Sequence, residues 1–178
     1  SATDIDSATL TFSLVSTANA HGTVTITDAT TGAFSYMPDA NFNGFASFTF
    51  VANDGTADSN IGTVTIAVNA VNDAPSFTKG DDRTGSLDGV AQTIPNWASG
   101  ISAGPADEAG QLVNFHVSTN NDALFSVLPA ISVDGTLTYT LVHNTTGSAT
   151  VSVRLHDDGG IADGGVDSSD PQIFVIST

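Results

Sequence analysis

The sequence of 178 residues contains no cysteine, which excludes disulfide bonds and thiolate metal sites alike. It also has no apolar run near the length that spans a bilayer, and no segment with the pattern of a signal peptide. Because the sequence starts abruptly at Ser1 and stops at Thr178 within a strand-like run, we expect it to be part of a longer protein.

Basic residues are scarce. Lys79, Arg83 and Arg154 stand against 19 acidic residues, and the net charge is −16. This charge excludes nucleic acid and anionic membrane surfaces as partners, because both need clustered Lys or Arg. We expect no membrane insertion either, because the sequence has no apolar run of spanning length. One interpretation is that the acidic residues only keep the protein soluble. The other is that inorganic cations supply the missing charge, since 18 of the 19 acids are Asp, which suits turns and calcium loops.

Short runs that alternate apolar and polar residues recur throughout the sequence. Examples are residues 10–14, 23–27, 33–37 and 47–51, separated by Gly, Asp, Asn and Thr. A period of two with β-branched and aromatic residues is typical of half-buried strands. No segment sustains a helical period, so the sequence predicts an all-β protein.

The second half of the sequence repeats the first at a constant offset of 103 residues. The run GAFSY at 32–36 aligns with GTLTY at 135–139. The same offset gives further matches: Asp4 with Asp107, Phe12 with Phe115, Asn41 with Asn144, Gly44 with Gly147, Ala46 with Ala149, and Asp54 with Asp157. Repeats of about 100 residues built of short strands indicate two Greek-key β-sandwiches of the immunoglobulin-like type in tandem.

The repeat predicts domains at residues 1–75 and 76–178. A first domain that ends at residue 75 is about 28 residues shorter than the 103-residue period, and the difference corresponds to its N-terminal strands. Without those strands the rest would expose apolar faces and open sheet edges. We therefore expect a longer protein or a neighbouring chain, as in a dimer, to complete this domain.

The stretch from Val71 to Pro75, VNDAP, joins the two predicted domains. Pro75 has a fixed φ and biases Ala74 toward an extended conformation, so the connection is stiff. In the first domain, Asp4 and Asp6 point the same way if their segment is extended, and both carboxylates can then bind one cation.

Three elements together resemble the calcium sites of cadherins. Asp4-x-Asp6 precedes a strand, Asp54 and a glycine follow a later strand, and Asn72-Asp73 precedes Pro75. In cadherin repeats such elements bind Ca²⁺ between successive domains. The run NDAP is also similar to the linker of bacterial cadherin-like tandem repeats in very large surface adhesins, and the lack of cysteine fits a bacterial surface protein.

The resemblance implies a cadherin-like fold for both domains and two Ca²⁺ sites. Asp4, Asp6 and Asp54 would face a preceding domain. Asn72 and Asp73 would join residues of the second domain, namely Asp107 and either Asp157 or Asp158. The second domain departs from the pattern, because Ala109 occupies the position that matches Asp6, with Glu108 beside it as a further candidate ligand.

The sequence shows no enzyme motif. The four histidines have no zinc or catalytic spacing, and no nucleophile elbow or phosphate loop is present. We therefore interpret the chain as a calcium-stiffened extracellular spacer on a bacterial cell surface, with neighbouring repeats of the same polypeptide as partners.

The alternative is an adhesion module that binds a polysaccharide or a like domain. Trp97 offers a sugar-stacking platform in this interpretation, although the only Trp of a sandwich is more often in the core. Phe42 and Phe45 are either exposed contacts or buried hairpin anchors.

Overall fold

The computed structural model of the protein describes residues 9–178, so the predicted ligands Asp4 and Asp6 lie outside the described residues. The chain divides into two compact units, Ser1–Ala70 and Val71–Thr178, and the linker residues 71–75 fall in the second. Within residues 9–178 the regular structure is β, with three short 3-10 helices and no α-helix. The all-β prediction is confirmed. No helix in this part of the chain is long and apolar enough to cross a membrane.

The described part of the first unit, residues 9–70, contains five strands in two sheets. They are β1 (Thr11–Ser16), β2 (Gly22–Asp28), β3 (Ala33–Pro38), β4 (Gly44–Asn53) and β5 (Gly62–Val68). One sheet has the antiparallel order β1-β4-β5, and the other is the hairpin β2-β3. Alternation along β4 buries Ala46, Phe48 and Ala52 between the sheets, as its period of two predicts.

The second unit contains nine strands. They are β6 (Ser76–Thr78), β7 (Arg83–Thr84), β8 (Gln92–Ile94), β9 (Ser99–Ser102), β10 (Val113–Thr119), β11 (Phe125–Ile131), β12 (Leu137–Leu141), β13 (Ser148–Asp157) and β14 (Gln172–Ser177). The sheets β10-β13-β14-β7 and β11-β12-β8 face each other, and β6 pairs with β9. Their inner faces enclose a core that includes Leu137, Tyr139, Val151 and Phe174.

The offset of 103 residues holds in the backbone as well as in the sequence. Gly32 and Gly135 have φ of 71° and 83°, and Asn41 and Asn144 have φ of 60° and 57°. A left-handed φ is uncommon for a residue other than glycine, so the shared value at the two asparagines marks equivalent turns. The registers match too, because Thr11 pairs with Asn53 as Asn114 pairs with His156.

The units differ at two sheet edges. In the second unit β7 lies parallel to β14, and β8 lies antiparallel to β12. Among residues 9–70 no strand occupies the corresponding positions beside β5 and β3. As a result Phe34 is 41% exposed, whereas Leu137, its equivalent, is fully buried. A cavity of about 140 Å³ remains between the sheets of the first unit, lined by Phe12, Ile26, Phe34, Phe48, Phe50 and Val64.

The environments of Trp97, Phe42 and Phe45 differ. Trp97 is 4% exposed, packs against Phe174 with ring centroids 4.3 Å apart, and donates its indole N–H to the Asp81 carbonyl at 3.0 Å. It is therefore a core residue and not a sugar-stacking platform. Phe42 stacks on His21 with centroids 4.4 Å apart, while Phe45 is 78% exposed.

Candidate metal centre

Three segments of the second unit converge at one end of its sandwich. They are the residues before β6, the loop with the 3-10 helix Ala106–Glu108, and the turn after β13. Side-chain hydrogen bonds join Asn72 to Asp157 and to Gln111, and the carboxylate of Glu108 accepts the backbone N–H of Asp73, the next residue of the linker. We call Asn72, Glu108, Gln111 and Asp157 the Asn72 cluster. Three of them were predicted as metal ligands, and the fold brings them together from widely separated positions in the sequence.

Both Nδ2 and Oδ1 of Asn72 form hydrogen bonds within the second unit. Its Nδ2 donates to Oδ1 of Asp157 at 2.9 Å and to the backbone oxygen of Val166 at 2.8 Å. Its Oδ1 accepts from Nε2 of Gln111 at 2.8 Å, and its backbone oxygen accepts from the Val166 N–H at 2.9 Å. Backbone and side chain together therefore fix this residue of the linker to the second unit.

Glu108 is the only glutamate of the chain and is 6% exposed. Its Oε1 accepts the backbone N–H of Asp73 at 2.8 Å. Its Oε2 is buried and has no hydrogen-bond partner. A buried carboxylate oxygen without a donor or a cation is costly, so this atom marks a position where a cation would be stabilised.

Asp157 has the same combination of one satisfied and one unsatisfied oxygen. Oδ1 accepts from Asn72 and from the backbone N–H of Gly159 at 2.9 Å. Oδ2 is buried without a partner, as is Oε1 of Gln111. The Asn72 cluster thus contains three buried oxygens that no hydrogen bond satisfies, two of them on carboxylates.

Gly104 and Gly159 have no Cβ, and the side chains of the cluster occupy the space that a Cβ would fill. A Cβ at position 104 would lie 1.8 Å from Oε2 of Glu108, and a Cβ at position 159 would lie 1.8 Å from Oδ1 of Asn72. Neither glycine has a left-handed φ, so the requirement is for space alone. Any larger residue at Gly104 or Gly159 would displace a side chain of the cluster.

The donor set fits a hard cation. In residues 9–178, no three His, Asp or Glu side chains approach closely enough to hold a metal ion by themselves. Calcium, however, also takes amide and backbone carbonyl oxygens, and the Asn72 cluster has these beside its two carboxylates. None of its side chains supplies the imidazole or thiolate that zinc and copper prefer.

The other predicted ligands lie around or away from this cluster. Asp73 contributes its backbone N–H, while its side chain is exposed. Asp158 is exposed, and its Oδ1 accepts the backbone N–H of Leu112 at 2.8 Å. Asp107 is exposed within the 3-10 helix Ala106–Glu108. The structure therefore brings Asp157 into the cluster but leaves the side chain of Asp158 at its edge.

Asp54 belongs to the first unit and closes the turn after β4. Its Oδ1 accepts the backbone N–H groups of Thr56 and Ala57, both at 2.7 Å. Nearby, Nδ2 of Asn53 donates to Oδ1 of Asp58 at 2.7 Å. This arrangement holds the turn, and its predicted partners Asp4 and Asp6 are outside the described residues.

Sequence reasoning missed Gln111 and the backbone oxygen of Val166. Gln111 follows two residues, Ala109 and Gly110, that have no ligand chemistry, and no motif singles it out. The Val166 carbonyl is a backbone group, and every residue has one, so the identity of the residue does not predict this contact. The turn after β13 places Gly159 and Val166 beside Asn72, and the loop before β10 places Gln111 there.

Comparison with known proteins shows the same fold. Residues 1–70 match the family model of the bacterial cadherin-like domain. Among solved structures, human protocadherin-24 EC1-2 has a TM-score of 0.61 and 17% identity, over 94% of this chain and 80% of that chain. Human mucin-like protocadherin EC1-2 has a TM-score of 0.51 and 16% identity, over 94% and 83%.

Mouse cadherin-23 EC22-24 is similar with a TM-score of 0.60 and 16% identity, and 94% of this chain spans 53% of that chain. No curated protein matches the sequence. At these identities the solved structures establish the fold alone, and they confirm the prediction of cadherin-like β-sandwiches.

Proposed function

We propose that the chain is a pair of calcium-binding spacer domains from a large extracellular adhesin on a bacterial cell surface, with a mechanical role and no catalytic one. The match of residues 1–70 to the bacterial cadherin-like domain supports the adhesion context. The observation that carries the proposal is the Asn72 cluster, with its buried and unsatisfied oxygens beside the linker.

Calcium would be held by the carboxylates of Glu108 and Asp157 together with amide oxygens of Asn72 and Gln111. Without a cation, two carboxylates at this end of the unit repel each other, and their unpaired oxygens are desolvated. A divalent ion removes both penalties. Asn72 belongs to the cluster, and the backbone N–H of Asp73 donates to Glu108. The same ion would therefore hold these two linker residues in place on the second unit.

The proposal explains the composition of the chain. Among residues 9–178, none of the three basic residues hydrogen-bonds to the cluster, so no side chain there neutralises its carboxylates. Extracellular calcium modules typically bind at about 10⁻⁴–10⁻³ M, a concentration that seawater and host fluids reach. The spacer would therefore be stiff outside the cell wherever calcium is present.

A thermal melt in EDTA and in increasing calcium tests the proposal. A ligand at about a hundredfold excess over Kd stabilises the folded state by about 2.7 kcal/mol, which raises Tm by several degrees. We expect Asp157→Asn to lose this rise. Asp163→Asn is the matched control, because Asp163 lies exposed in the same turn and its substitution changes the net charge equally.

A rise that is equal in wild type and Asp157→Asn, or absent from wild type, contradicts a calcium site in the Asn72 cluster. Small-angle scattering tests the mechanical part separately. We expect a narrower distribution of maximum dimensions in calcium than in EDTA. Calcium binding with an unchanged distribution would leave the site intact and refute the spacer role.

A further inference from the structure

The inner face of the first unit is less well covered than that of the second, although equivalent strand pairs build the two faces. Phe48 pairs with Val64 across β4 and β5, as Val151 pairs with Phe174 across β13 and β14. Phe174 is 1% exposed, whereas Val64 is half-buried. The cavity of about 140 Å³ lies on this face, because Phe48 and Val64 are among the residues that line it.

Two aromatic side chains cover the equivalent face of the second unit. Phe77 on β6 packs edge to face on Phe115, with ring centroids 5.1 Å apart. Trp97, between β8 and β9, packs on Phe174 with centroids 4.3 Å apart. Both rings are buried, so the segment Ser76–Ser102 supplies two aromatic groups to the core of this unit.

The cavity of the first unit is lined by the residues that such rings would contact. Phe12 and Val64 are both part of the lining. Phe12 is the equivalent of Phe115 under the offset of 103 residues, and Val64 is the equivalent of Phe174 through its pairing with β4. The two surfaces on which Phe77 and Trp97 pack in the second unit therefore have counterparts that face the cavity in the first.

The cavity has room for one aromatic ring. An apolar cavity of about 150 Å³ holds a benzene molecule, and this cavity measures about 140 Å³. Gly32 also lines it, and the carbonyl of the equivalent Gly135 accepts the backbone N–H of Ala98, the residue after Trp97, at 2.9 Å. The size and the lining therefore suit an aromatic side chain together with the backbone that carries it.

The edge of β3 beside the cavity offers main-chain hydrogen bonds to the same segment. In the second unit β8 pairs with β12, and Ile94 lies opposite Leu137. The equivalent of Leu137 on β3 is Phe34, which is 41% exposed. Among residues 9–70 no strand pairs with β3 on the side away from β2. An extended segment can add to such an edge as a further strand.

Charge favours a segment that carries a basic residue. Ser76–Ser102 contains Lys79 and Arg83, and the Arg83 guanidinium lies against the phenol of Tyr139. The first unit has the equivalent tyrosine, Tyr36, but residues 1–75 contain no lysine or arginine. Its charged side chains among residues 9–70 are all aspartates: Asp28, Asp39, Asp54 and Asp58. A basic residue on an added segment would complement this charge.

Neither residues 1–8 nor a second copy of the chain fits as the donor of the segment. Residues 1–8 contain one large apolar side chain, Ile5, and no aromatic one. In a second copy, Ser76–Ser102 already covers the core of its own second unit. Donating that segment would expose Tyr139 and Phe174 there, so the exchange brings no net burial.

We propose that the first unit binds an extended segment of a different polypeptide. We call the binding surface the β3 groove: the open edge of β3 and the cavity lined by Phe12, Gly32, Phe34 and Val64. The segment pairs with β3 as an additional strand and inserts an aromatic side chain into the cavity. Backbone pairing supplies affinity, and the cavity selects the aromatic residue. This binding is separate from the spacer role and does not depend on calcium.

Fluorescence anisotropy with a labelled peptide of residues 76–102 tests the β3 groove in the full chain, in EDTA. We expect saturable binding of one peptide per chain. A peptide with Phe77→Ala and Trp97→Ala should bind at least tenfold more weakly, because truncation of a buried aromatic anchor costs a factor of about 30 or more. The control peptide carries Leu87→Ala and Val90→Ala, at positions that are 38% and 58% exposed in the second unit, and should bind as the unmodified peptide does.

Hydrogen exchange locates the bound peptide. Amides of β3 (Ala33–Pro38) should exchange at least tenfold more slowly when the peptide is bound. Amides of β12 (Leu137–Leu141) should not change, because β8 already pairs with this strand. Slower exchange confined to the second unit would show that the peptide binds there, and would contradict the β3 groove.

The proposal is overturned if the peptide does not bind the folded chain, if the two alanine-substituted peptides bind equally well, or if indole alone binds as tightly as the peptide. A light-scattering mass above that of a monomer at saturating peptide would assign the β3 edge to a second copy. If residues 76–103 protect β3 only when they are fused ahead of Ser1, the groove takes a preceding segment of the same polypeptide. Either result would also overturn the proposal.

Discussion

The backbone N–H of Asp73 donates a hydrogen bond to Oε1 of Glu108, at 2.8 Å. Glu108 is the only buried charged residue in the described part of the chain. A linker residue is thus anchored on a carboxylate whose second oxygen has no partner. The contact therefore couples the position of the linker to any cation that neutralises Glu108, and substitution of Glu108 tests this coupling directly.

Glu108→Gln should raise stability in EDTA and lower it in calcium, relative to wild type. The substitution removes a buried charge and keeps an acceptor for the Asp73 N–H, so in EDTA we expect a gain of about 1–3 kcal/mol in the free energy of unfolding. In calcium the variant loses a ligand. Urea denaturation in both conditions measures the two changes.

The opposite signs distinguish a cation site from a purely structural carboxylate. If Glu108 had only a structural role, Glu108→Gln would change the free energy of unfolding equally in EDTA and in calcium. Asp122→Asn is the control, because Asp122 is exposed at the start of the 3-10 helix Asp122–Leu124 and its substitution removes the same charge.

Gly104→Ala should destabilise the second unit and weaken calcium binding. The new Cβ would lie 1.8 Å from Oε2 of Glu108, so the carboxylate must move from its position near Asp73. We expect a loss of about 1–3 kcal/mol. Gly110→Ala is the matched control, since a Cβ there meets no atom within 4 Å. Equal melting temperatures and calcium affinities for the two variants would contradict the steric argument.

The strand positions followed from the sequence because a period of two is a local signal. The alternation at 23–27 and 47–51 falls within β2 and β4, and the offset of 103 residues aligns Asn41 with Asn144, which share a left-handed φ. The offset was reliable because glycine and asparagine in left-handed turns tolerate few replacements.

The details of the metal site did not follow from the sequence. A match to an extended Asp-x-Asp placed the second ligand at Ala109, but residues 106–108 form a 3-10 helix, and it is Glu108 that is buried. Gln111 joins the cluster through Asn72, 39 residues away in sequence. Contacts over such separations depend on how the loops pack, and the local periodicity of a sequence does not predict loop packing.

Ser35→Lys should reduce self-association of the chain. Among residues 9–70 no strand pairs with β3 on the side away from β2, and Phe34 is 41% exposed beside this edge. Open edges pair with other chains, and an edge lysine opposes this. Light scattering should show wild-type mass rising with concentration and a lower mass for the variant.

Thr138→Lys is the control. It lies at the equivalent position on β12, between β11 and β8, and should not change the mass. A wild type that is monomeric at every concentration would contradict the prediction.

Tyr139 should limit stability at high pH. It is 2% exposed, and burial raises the pKa of its phenol above the usual value, with the neighbouring Arg83 guanidinium opposing the rise only in part. A group with a raised pKa in the folded state stabilises the fold fully below its unfolded pKa, here about 10, and loses that contribution as pH rises through the folded value. Between these two values wild type should lose about 1.4 kcal/mol per pH unit relative to Tyr139→Phe.

Denaturation of both proteins between pH 8.5 and 11.5 measures this difference. Effects of Tyr36 and Lys79 cancel in the comparison, because both residues are present in each protein. A free-energy difference between wild type and Tyr139→Phe that stays constant across the range would show that the phenol ionises as easily in the folded chain as in the unfolded one. It would then contradict the burial of the hydroxyl group in the core of the second unit.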